Sequence, residues 1–490
     1  MCQTQNTPII DALKKYTDNW TVRFHMPGHK GGQAADNLVA KFLGDKVFAA
    51  DVTNVPGLDD LHQAHGVIRK AQELAAGTFG ADFTYFLING SSCGLQALVM
   101  AVCGPGEKIL APRNMHRSIL SGIILSGAVP VFFRPEYDCH YKIPLGTCPE
   151  TIARSLECHP DVKAVILVNP TYHGITSDVS SIAKIVHARN IPLVVDEAHG
   201  PHLHFHEVLP ATALEGGADA AVQGTHKILS AFTQAAMLHL KSSLIDRQRL
   251  EAALRLLQST STSYLLLASL DAARAQMEAC GRQLIQEAIE LAAYLREKIN
   301  RLNGFSSFGE EMVGKPGVFG LDPTKVTISV RGLQVTGLWA EQWLRERHGI
   351  QVEMSDMFNL LLIVTFGNFR SDADRLLKAL QEMGQYAAQN NIKAQPYWAA
   401  GQVDAFPGIP DLVITPREAF WAPVAAVPLA EAVGRVSAET IACYPPGIPV
   451  ICPGEKVTGE IVEYLNVLRN VGMHFQGCHD ASLETVHVVK

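Results

Sequence analysis

The chain has 490 residues, of which 47% are apolar and 18% charged, with a formal net charge of −7. That length supports two or three domains around a large core, and the negative balance gives no footing for nucleic acid or an anionic membrane surface. No apolar run reaches a bilayer span, and the N-terminus MCQTQNTPIIDALKKYTDNW lacks the basic-then-apolar order of a signal peptide, which points to the cytoplasm.

From about residue 80 the chain alternates strand and helix patterns. FTYFLI reads as a strand, NGSS as a turn and CGLQALVMAV as a helix; KILA, HRSILSGIILSG and VPVFF repeat the cycle. KAVILVN, a helix near 178–189, IPLVVDEA, DAAVQ and AAMLHL continue it. Short continuous apolar runs between helices predict a mostly parallel sheet covered on both faces, an α/β domain. Residues 246–300 are helical in pattern. KVTISV, TGLWAEQWLRERHG, IQVEMSD and NLLLIVTFG then predict a smaller α+β domain, followed by a looser tail punctuated by ITPREAF, YPPGIP and CPGE.

Ten cysteines are scattered without C-x-x-C pairs, which predicts reduced thiols rather than a disulfide framework. HGPHLHFHE carries His199, His202, His204 and His206, and strand alternation would put the last three on one face. No second cluster completes a ligand set, so no metal is expected.

In open parallel sheets ligands sit beyond the C-terminal strand ends, and the residues there form a series. After YFLI come Asn89, Gly90, Ser91 and Ser92 at a helix start, which is either an everyday turn or a phosphate cradle. After KILA come Arg113, Asn114, Met115 and His116. After IPLVV comes Asp196, then Glu197, Ala198 and His199; after AAVQ, in a polar turn, come Thr225, His226 and Lys227. A buried aspartate needs a cation or several donors, and a lysine between buried strands needs its charge paired or removed. One ligand uses a phosphate cradle, a carboxylate for a cationic ring nitrogen, a planar stacking partner and a lysine: pyridoxal 5'-phosphate, whose aldehyde takes the lysine as a Schiff base. On this reading Lys227 is the covalent anchor, Asp196 holds the ring nitrogen protonated, His116 stacks on the ring, and Ser91, Ser92, Thr225 and His226 surround the phosphate.

The chain resembles the Orn/Lys/Arg decarboxylase family, bacterial relatives of aspartate aminotransferase. The resemblance runs through FHMPGHKGG (24–32), GLDDLH (57–62), NGSSCG (89–94), RNMHRS (113–118), NPTYHG (169–174), VDEAHG (195–200), THK (225–227), STSTSYLLLASLD (259–271) and YPPGIPVICPGE (444–455). The length is similar to the compact branch, particularly the arginine decarboxylases of Gram-positive bacteria. The resemblance implies a fold-type-I large domain with a mostly parallel seven-stranded sheet and a smaller α+β C-terminal domain. It divides the chain into an N-terminal arm (1–35), a cofactor-binding domain (36–300), a small domain (301–400) and a C-terminal extension (401–490). It assigns Lys227, Asp196, His116 and His226 to catalysis and adds Gly90 and Ala198 to the cofactor contacts. It also lets Ser259 or Thr260 reach a neighbouring subunit's cofactor, which makes a homodimer or a higher homo-oligomer the working unit.

The implied reaction is decarboxylation of a basic L-amino acid, with Lys227 or His226 returning a proton to Cα. Arginine, giving agmatine for polyamine biosynthesis, is preferred from the whole-chain resemblance and from Asn54, which stands where many lysine- and ornithine-type relatives carry Glu. Lysine and ornithine are the alternatives. The far end of the substrate needs carboxylates; the candidates are Glu353, Asp356, Glu455, Asp59 and Asp60, with His199 nearby. An aminotransferase on the same fold would use an arginine for the substrate carboxylate, with Arg370 the nearest candidate. An inactive amino-acid-binding relative is the remaining alternative.

Overall fold

The structure is a computed structural model in which residues 6–19, 21–390, 406–444 and 447–490 are described. Pro445 and Pro446 of the YPPGIP motif lie outside the described residues, as do residues 1–5 of the arm and the point at 400/401 where small domain and extension were divided.

The organising element is a seven-stranded sheet built from β1 (Phe83–Leu87), β2 (Lys108–Pro112), β3 (Val129–Phe133), β4 (Val162–Val168), β5 (Leu193–Asp196), β6 (Ala220–Gln223) and β7 (Ala236–Leu240). Their spatial order is β1-β7-β6-β5-β4-β2-β3. Only β7 runs against the rest, pairing antiparallel with both β1 and β6; β2, β3, β4, β5 and β6 pair in parallel.

The strands read as unbroken apolar runs because both faces are covered. Ala164, Ile166, Val194, Ala220, Val222 and Leu238 pack one way, against helices Gly90–Val102, Arg117–Ser126 and Arg247–Leu257. Val165, Leu167, Leu193, Val195 and Ala221 alternate with them and pack the other way, against helices Pro149–Cys158 and Val179–His187. Met237 joins Ile68, Phe79 and Leu270 in a third cluster on that second side. The helix Gly90–Val102 presses hard on the sheet: a Cβ on Gly94 would meet Leu87 Cδ1 at 2.6 Å and Val222 Cγ1 at 3.1 Å, so a larger residue would force the sheet's side chains to shift.

The helix Tyr264–Ile299 leads out of this domain. Its last turns bring Ala292, Leu295 and Ile299 into a separate core with Val326, Ile328, Leu360 and Leu380. That core rests on a three-stranded sheet of Lys325–Ser329, Asn359–Ile363 and Met354–Ser355.

Three sequence expectations change. Thr225–Ile228 is a short helix rather than a polar turn. Leu203–Phe205 is a 3-10 turn, not a strand, so the histidines diverge: His202 pairs with Asp322, His204 with Glu215 and His206 with Gln286. The C-terminal tail is a folded unit, with a core of Leu429, Ile441, Val450, Ile461, Leu465 and Val488; its Pro and Gly residues punctuate short strands, which hid the pattern. Cys93, Cys103, Cys139, Cys148, Cys158, Cys443, Cys452 and Cys478 are free thiols, as expected.

Candidate active site

The C-terminal ends of β1, β4, β5 and β6 converge on a cavity of about 300 Å³, lined among others by Asn89, Gly90, Ser91, Ser92, His116, Asp196, Ala198, His199, His226 and Lys227. Residues more than a hundred positions apart meet there because parallel strands end on the same edge.

Asp196 closes β5 and accepts the Ala198 amide at 3.1 Å. Burial pushes its carboxyl above the usual range, and the Lys227 charge pulls part of the way back. Lys227 lies one helical turn beyond β6. Burial lowers its ammonium from the ordinary lysine value, against the attraction of Asp196 and Glu353. Its Nζ stands 2.9 Å from His199 Nε2 and 5.5 Å from the centre of the Tyr172 ring. Tyr172 and His199 are themselves in contact, with centroids 4.3 Å apart. Gly224 permits this approach, since a Cβ there would fall 2.8 Å from the Ala198 carbonyl oxygen.

His116 caps the helix Arg117–Ser126, its Nδ1 accepting from the Ser118 amide. Burial drops its pKa to about 4, so the ring is neutral near pH 7. His226 donates Nδ1–H to the Ala235 carbonyl at 2.9 Å, which leaves Nε2 as an acceptor. The helix Gly90–Val102 begins with no side-chain cap on its first amides; Asn89 Oδ1 accepts instead from Ser259 N at 3.1 Å. Thr225 Oγ1 and Asn114 Oδ1 are buried with no hydrogen-bond partner among the described residues.

The acids proposed for the substrate separate. Glu353 is exposed and, like the other acids, is not among the residues lining the cavity, though its charge acts on Lys227. Glu455 does not line the cavity: it is fully buried and held by Arg113 through Nη1–Oε1 at 2.5 Å and Nη2–Oε2 at 2.9 Å. Asp356 is consumed by its own turn, accepting from Phe358 N and Asn359 N at 2.7 Å each, and burial raises it to about 6. Asp59 caps a helix through the amides of His65, Gly66 and Ile68, and Asp60 caps a 3-10 turn through His62 N. Arg370 packs on the Tyr294 ring and bonds Asp374, away from the cavity. Asp59, Asp60, Asp356 and Arg370 are spent on neighbours within ten residues, whereas Glu455 is held by Arg113 from 342 positions away. Ser259 and Thr260 are exposed.

Sequence reasoning did not single out Tyr172, Pro170, Thr233 and Gln234, which also line the cavity. Tyr172 and Pro170 lie in NPTYHG, directly after β4, so the strand-end rule applied to that strand would have found them. Thr233 and Gln234 arrive from the β6–β7 connection and carry no such signal.

Profiles of known families match this architecture: Orn/Lys/Arg decarboxylase, major domain, over residues 7–372, and its C-terminal domain over residues 400–485. The chain belongs to the Orn/Lys/Arg decarboxylase family. Four relatives named arginine decarboxylase are 41–43% identical. The one from Bacillus subtilis is 43% identical, covering 99% of this chain and 98% of its own. The lysine decarboxylase of Hafnia alvei is more distant, at 29% identity over 98% of this chain and 77% of its own length. The solved lysine decarboxylase of Francisella novicida superposes with a TM-score of 0.87 at 26% identity, covering 99% of this chain and 81% of that one. A Bacillus subtilis ureidoglycine–glyoxylate aminotransferase shares the fold alone, at a TM-score of 0.53 and 15% identity over 67% of this chain and 86% of that one. The molecule is thus a decarboxylase of the aspartate-aminotransferase-like, fold-type-I architecture, as the sequence implied.

Proposed function

We propose that this decarboxylase acts on L-arginine, releasing agmatine and carbon dioxide, with pyridoxal 5'-phosphate as its cofactor. The single observation that carries the cofactor reading is the pairing of a buried Asp196 with Lys227 in one cavity beside uncapped helix amides. The donor set fits the cofactor. The amides at Ser91 and Ser92, with the unpartnered Thr225 hydroxyl, suit a phosphate. Asp196 suits a cationic ring nitrogen, and neutral His116 suits a ring face.

When bound, the cofactor supplies an aldehyde for covalent attachment and a cationic ring that accepts the electron pair of the Cα–carboxylate bond. The chain's own residues do the rest. Asp196 holds a proton at the ring nitrogen. Lys227 Nζ supplies the attaching nitrogen and, once carbon dioxide has left, returns a proton to Cα. His226 is a poorer donor for that step, because its hydrogen is committed to the Ala235 carbonyl. His199 Nε2 lies 2.9 Å from Lys227 Nζ, within hydrogen-bond reach of the attaching nitrogen. Glu353 is assigned to the substrate guanidinium, as the exposed acid whose charge acts on Lys227.

The preference for arginine rests on the higher identity to relatives bearing that name. A homodimer is supported by the exposed Ser259 and Thr260 beside Asn89 and by the exposed apolar Phe24, Leu38 and Phe42. The four-part division at 35, 300 and 400 and a cytoplasmic location belong to the same reading; among the described residues no helix is long and apolar enough to cross a membrane.

The test offers arginine, lysine and ornithine side by side to the purified chain and measures each amine product. Agmatine should dominate and should vanish in Lys227→Ala. Dominant cadaverine or putrescine would overturn the substrate, and undiminished turnover in Lys227→Ala would overturn the anchor.

A further inference from the structure

Lys325 opens the strand Lys325–Ser329, is fully buried, and its Nζ has no hydrogen-bond partner among the described residues. An unpaired buried ammonium is among the costliest groups a fold can keep, so its position needs a cause. Its stem runs along Gly174 of the NPTYHG segment: a Cβ on that glycine would lie 2.9 Å from both Lys325 Cβ and Cγ. Burial pulls its pKa down to about 8; Asp322 and Glu353 hold its proton on, and the Lys227 charge pushes it off.

Asp322 does not discharge the debt. It is already engaged by His202 Nε2 at 3.0 Å and by the Thr324 amide and hydroxyl at 2.9 and 2.7 Å. His173 is likewise committed, to Thr327 Oγ1 at 2.9 Å on the same strand as Lys325.

A second unsatisfied atom completes the picture. His199 Nδ1 is buried without a partner among the described residues, while the other nitrogen of that ring touches Lys227. Burial, Lys227, Lys325, His116 and His202 together hold this imidazole neutral. A neutral imidazole has one donor and one acceptor, and the bond made by one nitrogen decides which hydrogen the other carries. If Nδ1 accepts, Nε2 carries the hydrogen, and the contact at 2.9 Å is then a hydrogen bond donated to a lysine amine rather than accepted from an ammonium.

We propose that Lys325 is a positioning residue for Lys227: it donates through one internal water to His199 Nδ1, and so fixes His199 with its hydrogen on Nε2, aimed at the lone pair of a neutral Lys227. This rests on Lys227 being the attachment lysine of the proposed reaction, and it gives the unpaired cation a task, since a second positive charge favours the amine form of a nearby lysine.

The test reads Lys227 itself. The full-length chain, freed of cofactor, is labelled with an amine-reactive reagent across a pH series, and modification of Lys227 is followed by mass spectrometry. The groups facing the pair, Asp196, Tyr172, His116, His199, His202, Asp322 and Glu353, are unchanged in the Lys325 variants. Wild-type Lys227 should titrate below the ordinary lysine value of about 10.4. Lys325→Met should move that titration up by about one pH unit, slowing labelling near pH 7.5 about tenfold, while Lys325→Arg, which keeps the cation and its donors, should restore it. In a His199→Asn background, Lys325→Met should have no further effect. Lys325→Gln carries the same test if the methionine variant melts below wild type. Superimposable titrations of wild type and the uncharged variants would overturn the role of Lys325, and a full additional effect without His199 would overturn the route. An ordinary titration of Lys227 in the wild type would instead sink the anchor assignment.

Discussion

Asp196 and Lys227 show how one environment serves chemistry at a cost to stability. Burial raises the aspartate and lowers the lysine, so each is less charged than it would be in water, and each eases the other's penalty. A carboxylate whose folded pKa is raised binds its proton more tightly in the folded state, so it opposes folding progressively as pH climbs above its unfolded value. Asp196→Asn removes that term. In the cofactor-free chain at pH 7.5, its melting temperature should equal or exceed that of wild type, while kcat falls by about a hundredfold or more as the ring nitrogen loses its partner. A large drop in melting temperature with kcat retained would reverse this reading. If Glu353 holds the substrate guanidinium as proposed, Glu353→Gln should raise KM for the basic amino acid about tenfold or more, because that charge-assisted contact is lost; steady-state kinetics with arginine decide it.

The sheet holds a polar seam that its apolar strands conceal. His239 on β7 hydrogen-bonds Thr84 of β1 at 2.8 Å and Gln223 of β6 at 3.1 Å, tying together the three strands around the antiparallel one. It is fully buried, and burial lowers its pKa to about 3. The unfolded histidine takes up a proton near pH 6.5 and the folded one does not, so its stabilisation is present above that value and is lost as pH falls toward 3. Between pH 6.5 and 4.5 this one ring costs about 2–3 kcal/mol. His239→Gln should therefore lose less thermal stability over that interval than wild type, whatever its stability at pH 7, as followed by melting at a series of pH values. The strands themselves were legible, because β-branched and apolar runs of the right length announce buried parallel strands. The helical turn at Thr225–Ile228 and the 3-10 turn at Leu203–Phe205 were not, since segments of three or four residues hold too little periodicity to outweigh tertiary contacts.

Across the whole molecule, the C-terminal unit is joined to the large domain by a buried clamp. Arg113 leaves the end of β2 and meets Glu455 in a two-pronged ion pair, with Val450 O accepting from Nη2 at 2.8 Å and Cys452 N donating to Glu455 at 2.7 Å. Removing one partner strands a buried charge, so Arg113→Ala should destabilise the junction by about 3–5 kcal/mol. Limited proteolysis should then cut within 406–490 faster than in wild type, and the added change Glu455→Gln should recover part of the protection. Unchanged cleavage would mean the clamp contributes little. Asn114, the next residue, lines the cavity, so the clamp sits beside the chemistry.

The sequence by itself determined the sheet, the strand-end positions of Asp196 and Lys227, and the family, because strand periodicity and short motifs are local properties written in consecutive residues. Only the tertiary structure decided which acid is available. Glu455, Asp59 and Asp356 look as free as Glu353 in the sequence, and each is spent on a partner or a turn once the chain is folded. It likewise decided that a lysine at position 325, ordinary in a β-rich segment, is fully buried with no hydrogen-bond partner for its ammonium among the described residues, since burial and pairing depend on what arrives from elsewhere in the chain.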